Sequence, residues 1–160
     1  MSASLIPDEF LIPLRKIYHE IQNAEIDWVI TGSLGLAIKG IPISPQDIDI
    51  QTYRAGLQRF ASIFSNALVQ PPTILESERI RSITATFVIA GIKVDIMGDV
   101  QFRDEDGFWD DTPNLSMNRI FLQVADMRIP TFTLDFEEEI YRAMGRADKA
   151  ALITQYLRVC

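Results

Sequence analysis

The sequence predicts an α+β domain in which helices pack on a mixed β-sheet. Apolar residues at helical spacing mark amphipathic helices, residues 81–100 are typical of a β-hairpin, and helices alternate with strands through the first 68 residues. The predicted order is helix, strand, helix, strand, helix, hairpin, a second strand pair and two helices. A length of 160 residues fits one domain with a substantial core.

The first half of the chain contains five predicted elements. Predicted helices cover residues 8–23, 33–40 and 57–68, and predicted strands cover residues 26–31 and 47–53. Pro13 indicates either a kink in the first helix or its true first turn. Ser33 is expected to be the N-cap of the second helix.

The second half contains two predicted strand pairs and two helices. The hairpin turns at Ala90-Gly91, and a second strand pair turns at Ala125-Asp126. A capping-box pattern starting at Asp135 predicts a helix as far as Met144, which Gly145 ends. A last helix covers about residues 147–157, and residues 70–73 and 103–114 are predicted loops.

Charge and cysteine content exclude several functions. The formal net charge of −7 argues against a broad nucleic-acid surface, which would need many Lys and Arg side chains. The single cysteine, Cys160, allows neither an intrachain disulfide nor a zinc site built on cysteines. No apolar run is long enough to cross a bilayer, and the N-terminus lacks the pattern of a signal peptide. We therefore expect a cytoplasmic protein without a membrane partner.

Three aspartates form the most informative pattern. Asp47 and Asp49 alternate with apolar residues, so both project from one face of a strand. Two carboxylates this close repel each other unless a cation lies between them, and Mg²⁺ prefers such hard oxygen ligands. Solvated acids at a strand end are the alternative. Asp95, between Val94 and Ile96 in the hairpin, joins the pair if its strand is a neighbour of theirs.

Gly32-Ser33 lies at a predicted strand-to-helix turn. Glycine lets the backbone approach a phosphate closely, and the N–H groups that begin a helix can bind it. The Ser33 hydroxyl can add a hydrogen bond, although a simple helix cap is the alternative interpretation. Carboxylates that hold metal and a backbone cradle for phosphates are together typical of nucleotidyl or phosphoryl transfer.

These motifs resemble the signature of the DNA polymerase β-like nucleotidyltransferase superfamily. The chain has "ITGS", then thirteen residues, "DIDI", and later "VDI". The resemblance implies a mixed sheet flanked by helices and Mg²⁺-dependent transfer of a nucleoside monophosphate from an NTP, expected to be ATP. It implies a two-metal site in which Asp47, Asp49 and Asp95 are both the catalytic residues and the metal ligands. It assigns triphosphate contact to Gly32 and Ser33.

Further cations and the C-terminal segment are less specific. Lys39, Arg54 and Lys93 lie near the motifs in sequence and could steady a triphosphate, with a solvated surface charge as the alternative for each. Arg54 is favoured because it follows the Asp47–Asp49 strand directly. The tail "YRAMGRADKAALI" also looks like that of small bacterial nucleotidyltransferase-domain proteins, except that the order of Asp148-Lys149 is reversed and a later aspartate is absent.

We therefore expect one nucleotidyltransferase-like domain over residues 1–160, with a core of about 24–100 and C-terminal strands and helices over about 117–158. The acceptor hydroxyl is left open among a small molecule, a protein and an RNA. The alternative from another class is a non-catalytic or antitoxin-like module of a toxin–antitoxin pair, which would bind a nucleotide or a toxin protein. Homo-oligomerisation is also left open.

Overall fold

The computed structural model describes residues 6–159, with side chains as far as Leu157. Within this range the α-helices are α1 (Asp8–Ile21), α2 (Gly32–Ile38), α3 (Arg54–Ile63), α4 (Leu134–Ala143) and α5 (Ala147–Val159). The strands are β1 (Trp28–Thr31), β2 (Ile48–Thr52), β3 (Leu68–Glu76), β4 (Ile80–Ile89), β5 (Ile92–Phe102), β6 (Arg119–Val124) and β7 (Met127–Phe132). None of these helices is long and apolar enough to span a membrane.

One mixed sheet contains all seven of these strands, in the spatial order β3-β4-β5-β2-β1-β7-β6. The β2–β5 and β1–β7 pairs are parallel, and the other neighbouring pairs are antiparallel. The predicted α+β class and both predicted hairpins are therefore confirmed. The C-terminal β6–β7 hairpin extends the same sheet through β1, so it is not a separate layer.

Helices cover both faces of the sheet. On one face, α1 and α3 bury Leu14, Ile17 and Phe60 against the strands in the larger apolar cluster. Ile48 and Ile50 are fully buried in that cluster. Residue Asp49 lies between them on β2, so it points to the opposite face, where α4 packs. The alternation predicted from the sequence thus places the carboxylate away from the larger core.

Two predicted helix caps are wrong. The N-cap of α2 is Thr31, and Ser33 lies inside the helix. The N-cap of α4 is Thr133, whose side-chain oxygen accepts a hydrogen bond from the Phe136 backbone N–H at 3.3 Å. Asp135 is therefore in the first turn of α4, where its negative charge interacts favourably with the positive end of the helix dipole.

Prolines account for two further differences. Pro13 lies buried inside α1, so the first-turn interpretation is wrong. Residues 70–73, predicted to form a loop, belong to β3, whose pairing with β4 shifts register around Pro71 and Pro72. Strand β3 is at the edge of the sheet, where a proline is tolerated because its missing N–H can face away from the neighbouring strand. The predicted third helix, over residues 57–68, is displaced toward the N-terminus, because α3 spans Arg54–Ile63 and Leu68 already begins β3.

Candidate active site

The turn between β1 and α2 lies directly against Asp49. Gly32 has a backbone φ of 69°, which residues other than glycine rarely adopt. A Cβ atom at this position would also collide with Asp49 Oδ2. Glycine is therefore required here for two reasons, the backbone conformation and the approach of the carboxylate.

Ser33 connects the same turn to the segment that carries the aspartates. Its hydroxyl oxygen accepts a hydrogen bond from the Gln46 backbone N–H at 2.9 Å. Gln46 immediately precedes Asp47, so this bond holds the start of α2 beside the start of β2. The hydroxyl proton is not used by this bond and is free to be donated to a ligand.

Asp49 and Asp95 lie side by side, as expected if their strands were neighbours. They are register partners on the parallel strands β2 and β5. Asp47 lies one residue before β2 and is half-buried. The structure thus brings Gly32, Asp49 and Asp95 together from three separate elements.

Electrostatics at Asp49 favour a cation. Burial, followed by the charges of Asp95 and Asp47, raises the pKa of the Asp49 carboxyl to about 7, while Lys93 acts in the opposite direction. A carboxylate held this way is destabilised in its charged form, and a nearby positive charge would relieve that cost. Either a proton or a bound cation at Asp49 would remove this cost.

Asp95 already has two partners. Thr86 donates a hydrogen bond from Oγ1 to Asp95 Oδ1 at 2.6 Å, and Lys93 Nζ lies 3.5 Å from Oδ2. In the part of the chain that is described, no three Asp, Glu, His or Cys side chains are already gathered into a group that could hold a metal ion. The Lys93 side chain is about half exposed, so solvent partly screens this ion pair.

A cavity of about 380 Å³ opens from Asp49 toward the C-terminal helices. Gly32 and Ser33 line one end of it. Its walls include an apolar group: Ile80, Met97, Phe102, Ile140 and Met144. Arg146 and Lys149 also line it, so the C-terminal tail contributes two cations to the site.

A second, larger cavity of about 670 Å³ lies between α1 and residues 63–67. It contains none of the predicted site residues, and its lining carries a single acid, Glu20. Cavity size alone would therefore select a location without the predicted residues. Asp49 and the Gly32–Ser33 turn identify the smaller cavity as the candidate active site, whereas Asp47 and Asp95 are not among the residues that line it.

The structure does not place Arg54 among the residues that line the candidate cavity. Arg54 is the exposed first residue of α3, and its backbone N–H donates to Asp99 Oδ1 at 3.0 Å. Lys39 is not a solvated surface charge. Its Nζ donates to the Phe132 carbonyl at 2.7 Å and lies 3.4 Å from Glu137 Oε1 in a buried ion pair.

Sequence reasoning missed Glu137 and underrated the tail cations. Glu137 is fully buried, although it lies in a run of three glutamates, a pattern that is typical of a solvent-exposed helix face. No local signal separates it from its neighbours. For Arg146 the signal was present, because the Gly-Arg pair after a helix already resembled the tail of small nucleotidyltransferase-domain proteins.

Comparison with known proteins defines the class. The chain aligns with the crystal structure of a nucleotidyltransferase candidate from Thermotoga maritima, TM1012, at 38% identity and a TM-score of 0.85, covering 97% of this chain and 96% of that one. The lincosamide antibiotic adenylyltransferase LnuA, in its lincomycin-bound structure, shares the fold at 10% identity and a TM-score of 0.59, covering 93% and 97%. The structure of ANT(2'')-Ia with adenylyl-2''-tobramycin does so at 10% identity and a TM-score of 0.55, covering 94% and 89%.

The fold and the family place the protein among the nucleotidyltransferases of the polymerase β-like superfamily, as the motifs predicted. Residues 13–155 match the aminoglycoside-2''-adenylyltransferase family, and the chain belongs to this family. None of the curated proteins compared with the chain matches it.

Proposed function

We propose that the protein transfers a nucleoside monophosphate from ATP to a hydroxyl group of a small molecule, in a reaction that depends on Mg²⁺. The observation that carries this proposal is the position of Asp49, beside Asp95 and in contact distance of the Gly32 turn. In one small volume the chain presents acids for a metal ion and a close backbone approach for a phosphate.

By their chemistry the three carboxylates suit a divalent cation, and they would have to draw together around it, since no three acids of the described residues are gathered into such a group. Asp47, Asp49 and Asp95 offer hard carboxylate oxygens, and the pKa of Asp49 is raised first by burial and then by the charges of Asp95 and Asp47, both of which a bound cation would offset. We propose that these three residues hold Mg²⁺, in a two-metal arrangement. A bound Mg²⁺ ion would neutralise the charge of the phosphates and stabilise the charge that develops on the oxygens during transfer.

We propose that the chain's own groups hold the nucleotide. The backbone N–H groups at Gly32 and Ser33, with the Ser33 hydroxyl, would donate hydrogen bonds to the triphosphate. Arg146 and Lys149 line the same cavity and would supply positive charge to it. Arg54 lies outside that lining, so we propose it only as a contact for a ligand group that projects beyond the cavity.

In the proposed reaction the acceptor oxygen attacks the α-phosphorus. A new bond from oxygen to phosphorus forms, the bond from the α-phosphorus to its bridging oxygen breaks, and pyrophosphate leaves. The acceptor hydroxyl gives up its proton in this step to the carboxylate of Asp95, which we propose both orients that hydroxyl and accepts the proton. The supply of ATP that this reaction requires favours a cytoplasmic location.

The choice of a small-molecule acceptor rests on the family and on the cavity. LnuA and ANT(2'')-Ia, which share the fold, were solved with lincomycin and with adenylylated tobramycin. The apolar wall of the cavity fits the body of a small organic molecule beside the polar Asp49 end. We therefore favour a small molecule over a protein or an RNA.

The test is a transfer assay with ATP labelled on the α-phosphate, Mg²⁺, and panels of aminoglycosides, lincosamides, protein extract and RNA. We expect label on a small molecule, with loss of transfer in Asp49→Asn but not in Asp111→Asn, which removes an exposed acid. Label on protein or RNA instead would overturn the acceptor class. Absence of label from every panel, with wild type equal to Asp49→Asn, would favour a non-catalytic module.

A further inference from the structure

A buried network of polar side chains lies directly behind the Gly32–Ser33 turn. Glu137 Oε1 accepts a hydrogen bond from Thr31 Oγ1 at 3.1 Å and lies 3.4 Å from Lys39 Nζ. The side chains of Lys39 and Glu137 are 3% and 0% exposed, so neither charge contacts bulk solvent appreciably. The network therefore ties together the last residue of β1, the residue after α2, and α4.

Stability alone does not explain these buried charges. Removing a carboxylate and an ammonium group from water is costly, and apolar side chains of similar volume often serve a fold equally well. Here the compensation is incomplete, because Glu137 Oε2 is buried without a hydrogen-bond partner among the described residues. An ion pair that stabilises so inefficiently suggests that its geometry serves another purpose.

The position of the network indicates that purpose. Thr31 and Lys39 flank α2, the helix that begins with Gly32 and Ser33. Glu137 lies on α4, one helical turn before Tyr141, which lines the candidate cavity. The network therefore fixes both ends of α2 against the helix that forms the cavity wall.

Close packing at α2 makes this fixation specific. A Cβ atom on Gly35 would lie 3.4 Å from Glu137 Oε1 and 3.1 Å from the Ile30 carbonyl oxygen. The backbone of α2 is thus seated closely on the Glu137 carboxylate as well as being bonded at its two ends. A shift of Glu137 would therefore reach the turn through the Thr31 hydrogen bond and the close packing at Gly35.

We propose that Glu137 and Lys39 are positioning residues that hold the Gly32–Ser33 turn in the conformation that receives the phosphates of a nucleotide. This inference rests on the proposed function for its consequence in binding. Glu137 does not touch the phosphates in this account. It acts through Thr31 and α2, and Lys39 neutralises its charge and adds a second anchor at the Phe132 carbonyl.

The test replaces the pair with apolar residues of similar size in the double variant Lys39→Met with Glu137→Leu. The matched control is Glu138→Leu with Arg142→Met, which removes a more exposed ion pair from the same helix. For each protein we would measure the midpoint of urea unfolding, hydrogen exchange of the amides over residues 31–40, and the Kd of Mg²⁺–ATP by calorimetry.

We expect the Lys39–Glu137 double variant to unfold at a urea concentration no lower than that of the wild type. Its amides in residues 31–40 should exchange faster, and its Kd for Mg²⁺–ATP should rise about tenfold or more. The control should match the wild type in exchange and Kd. Wild-type exchange and Kd in a stable double variant would overturn the proposal, because the pair would then be only structural.

A second variant keeps the test decisive if the double variant does not fold. Glu137→Gln retains an oxygen that can accept from Thr31 and Lys39, so amide protection and Kd should stay within about threefold of the wild type. Loss of amide protection in a folded Glu137→Gln protein would contradict positioning by these bonds. If the wild type itself does not bind Mg²⁺–ATP, the proposed function fails, while amide exchange still tests the positioning of the turn.

Discussion

The raised pKa of Asp49 predicts how stability depends on pH when no metal ion is present. Its carboxyl has an ordinary pKa of 3.8 and titrates at about 7 in the fold, first because of burial and then because of Asp95 and Asp47. The folded state therefore holds this proton more tightly than the unfolded state does. The free energy of unfolding must fall as the pH rises between these two values.

The expected magnitude follows from the same values. About two pKa units of this titration lie between pH 5 and pH 8, which corresponds to at most about 3 kcal/mol. The Asp49 side chain is only partly buried, so solvent screening lowers the expected change to about 2 kcal/mol. Asp49→Asn removes the titrating group and with it this part of the pH dependence.

The assay is urea unfolding in EDTA at pH 5 and pH 8 for the wild type, Asp49→Asn and the exposed control Asp111→Asn. We expect the stability of Asp49→Asn relative to the wild type to rise by about 2 kcal/mol between the two pH values. The control should follow the wild type at both. A difference between Asp49→Asn and the wild type that stays constant with pH would refute the reasoning.

Three further substitutions test the phosphate end of the site. Gly32→Ala should lower the free energy of unfolding by about 1–3 kcal/mol and abolish binding of Mg²⁺–ATP, because the new Cβ meets Asp49 in a strained backbone. Gly107→Ala is the control in urea unfolding and calorimetry, because Gly107 also has a positive φ, of 88°, but has no atom within 4 Å of the added Cβ. Equal losses of stability and of binding in the two variants would contradict a collision between the new Cβ and Asp49. Arg146→Met and Lys149→Met should each raise the Kd of Mg²⁺–ATP about tenfold with unchanged unfolding midpoints, and an unchanged Kd would remove these cations from the site.

Local patterns predicted the carboxylates and most of the sheet. Alternation around Asp49 and around Asp95 indicates two strands with their acids on one face, whatever the rest of the chain does. The turn at Ala90-Gly91 then fixes the β4–β5 hairpin. Pairing of β5 with β2 is a long-range feature, and the family signature rather than the spacing alone supported it.

The features that were missed depend on long-range packing. Glu137 is buried because α4 folds onto the β1–α2 turn, a contact more than ninety residues away in sequence. Ser33 resembles a helix cap, but its hydroxyl is used by Gln46 across the turn instead. Residues around Pro71 resemble a loop, and only a place at the sheet edge makes a strand there acceptable.

The measurement that tests the central claim most directly is calorimetric titration of ATP into the wild type with Mg²⁺ or with EDTA, repeated for Asp49→Asn and Asp111→Asn. We predict that the wild type and Asp111→Asn bind ATP only when Mg²⁺ is present, and that Asp49→Asn does not bind it under either condition. ATP binding that is equal in Mg²⁺ and EDTA, or unchanged in Asp49→Asn, would contradict a metal and nucleotide site built on Asp49, Asp95 and the Gly32 turn.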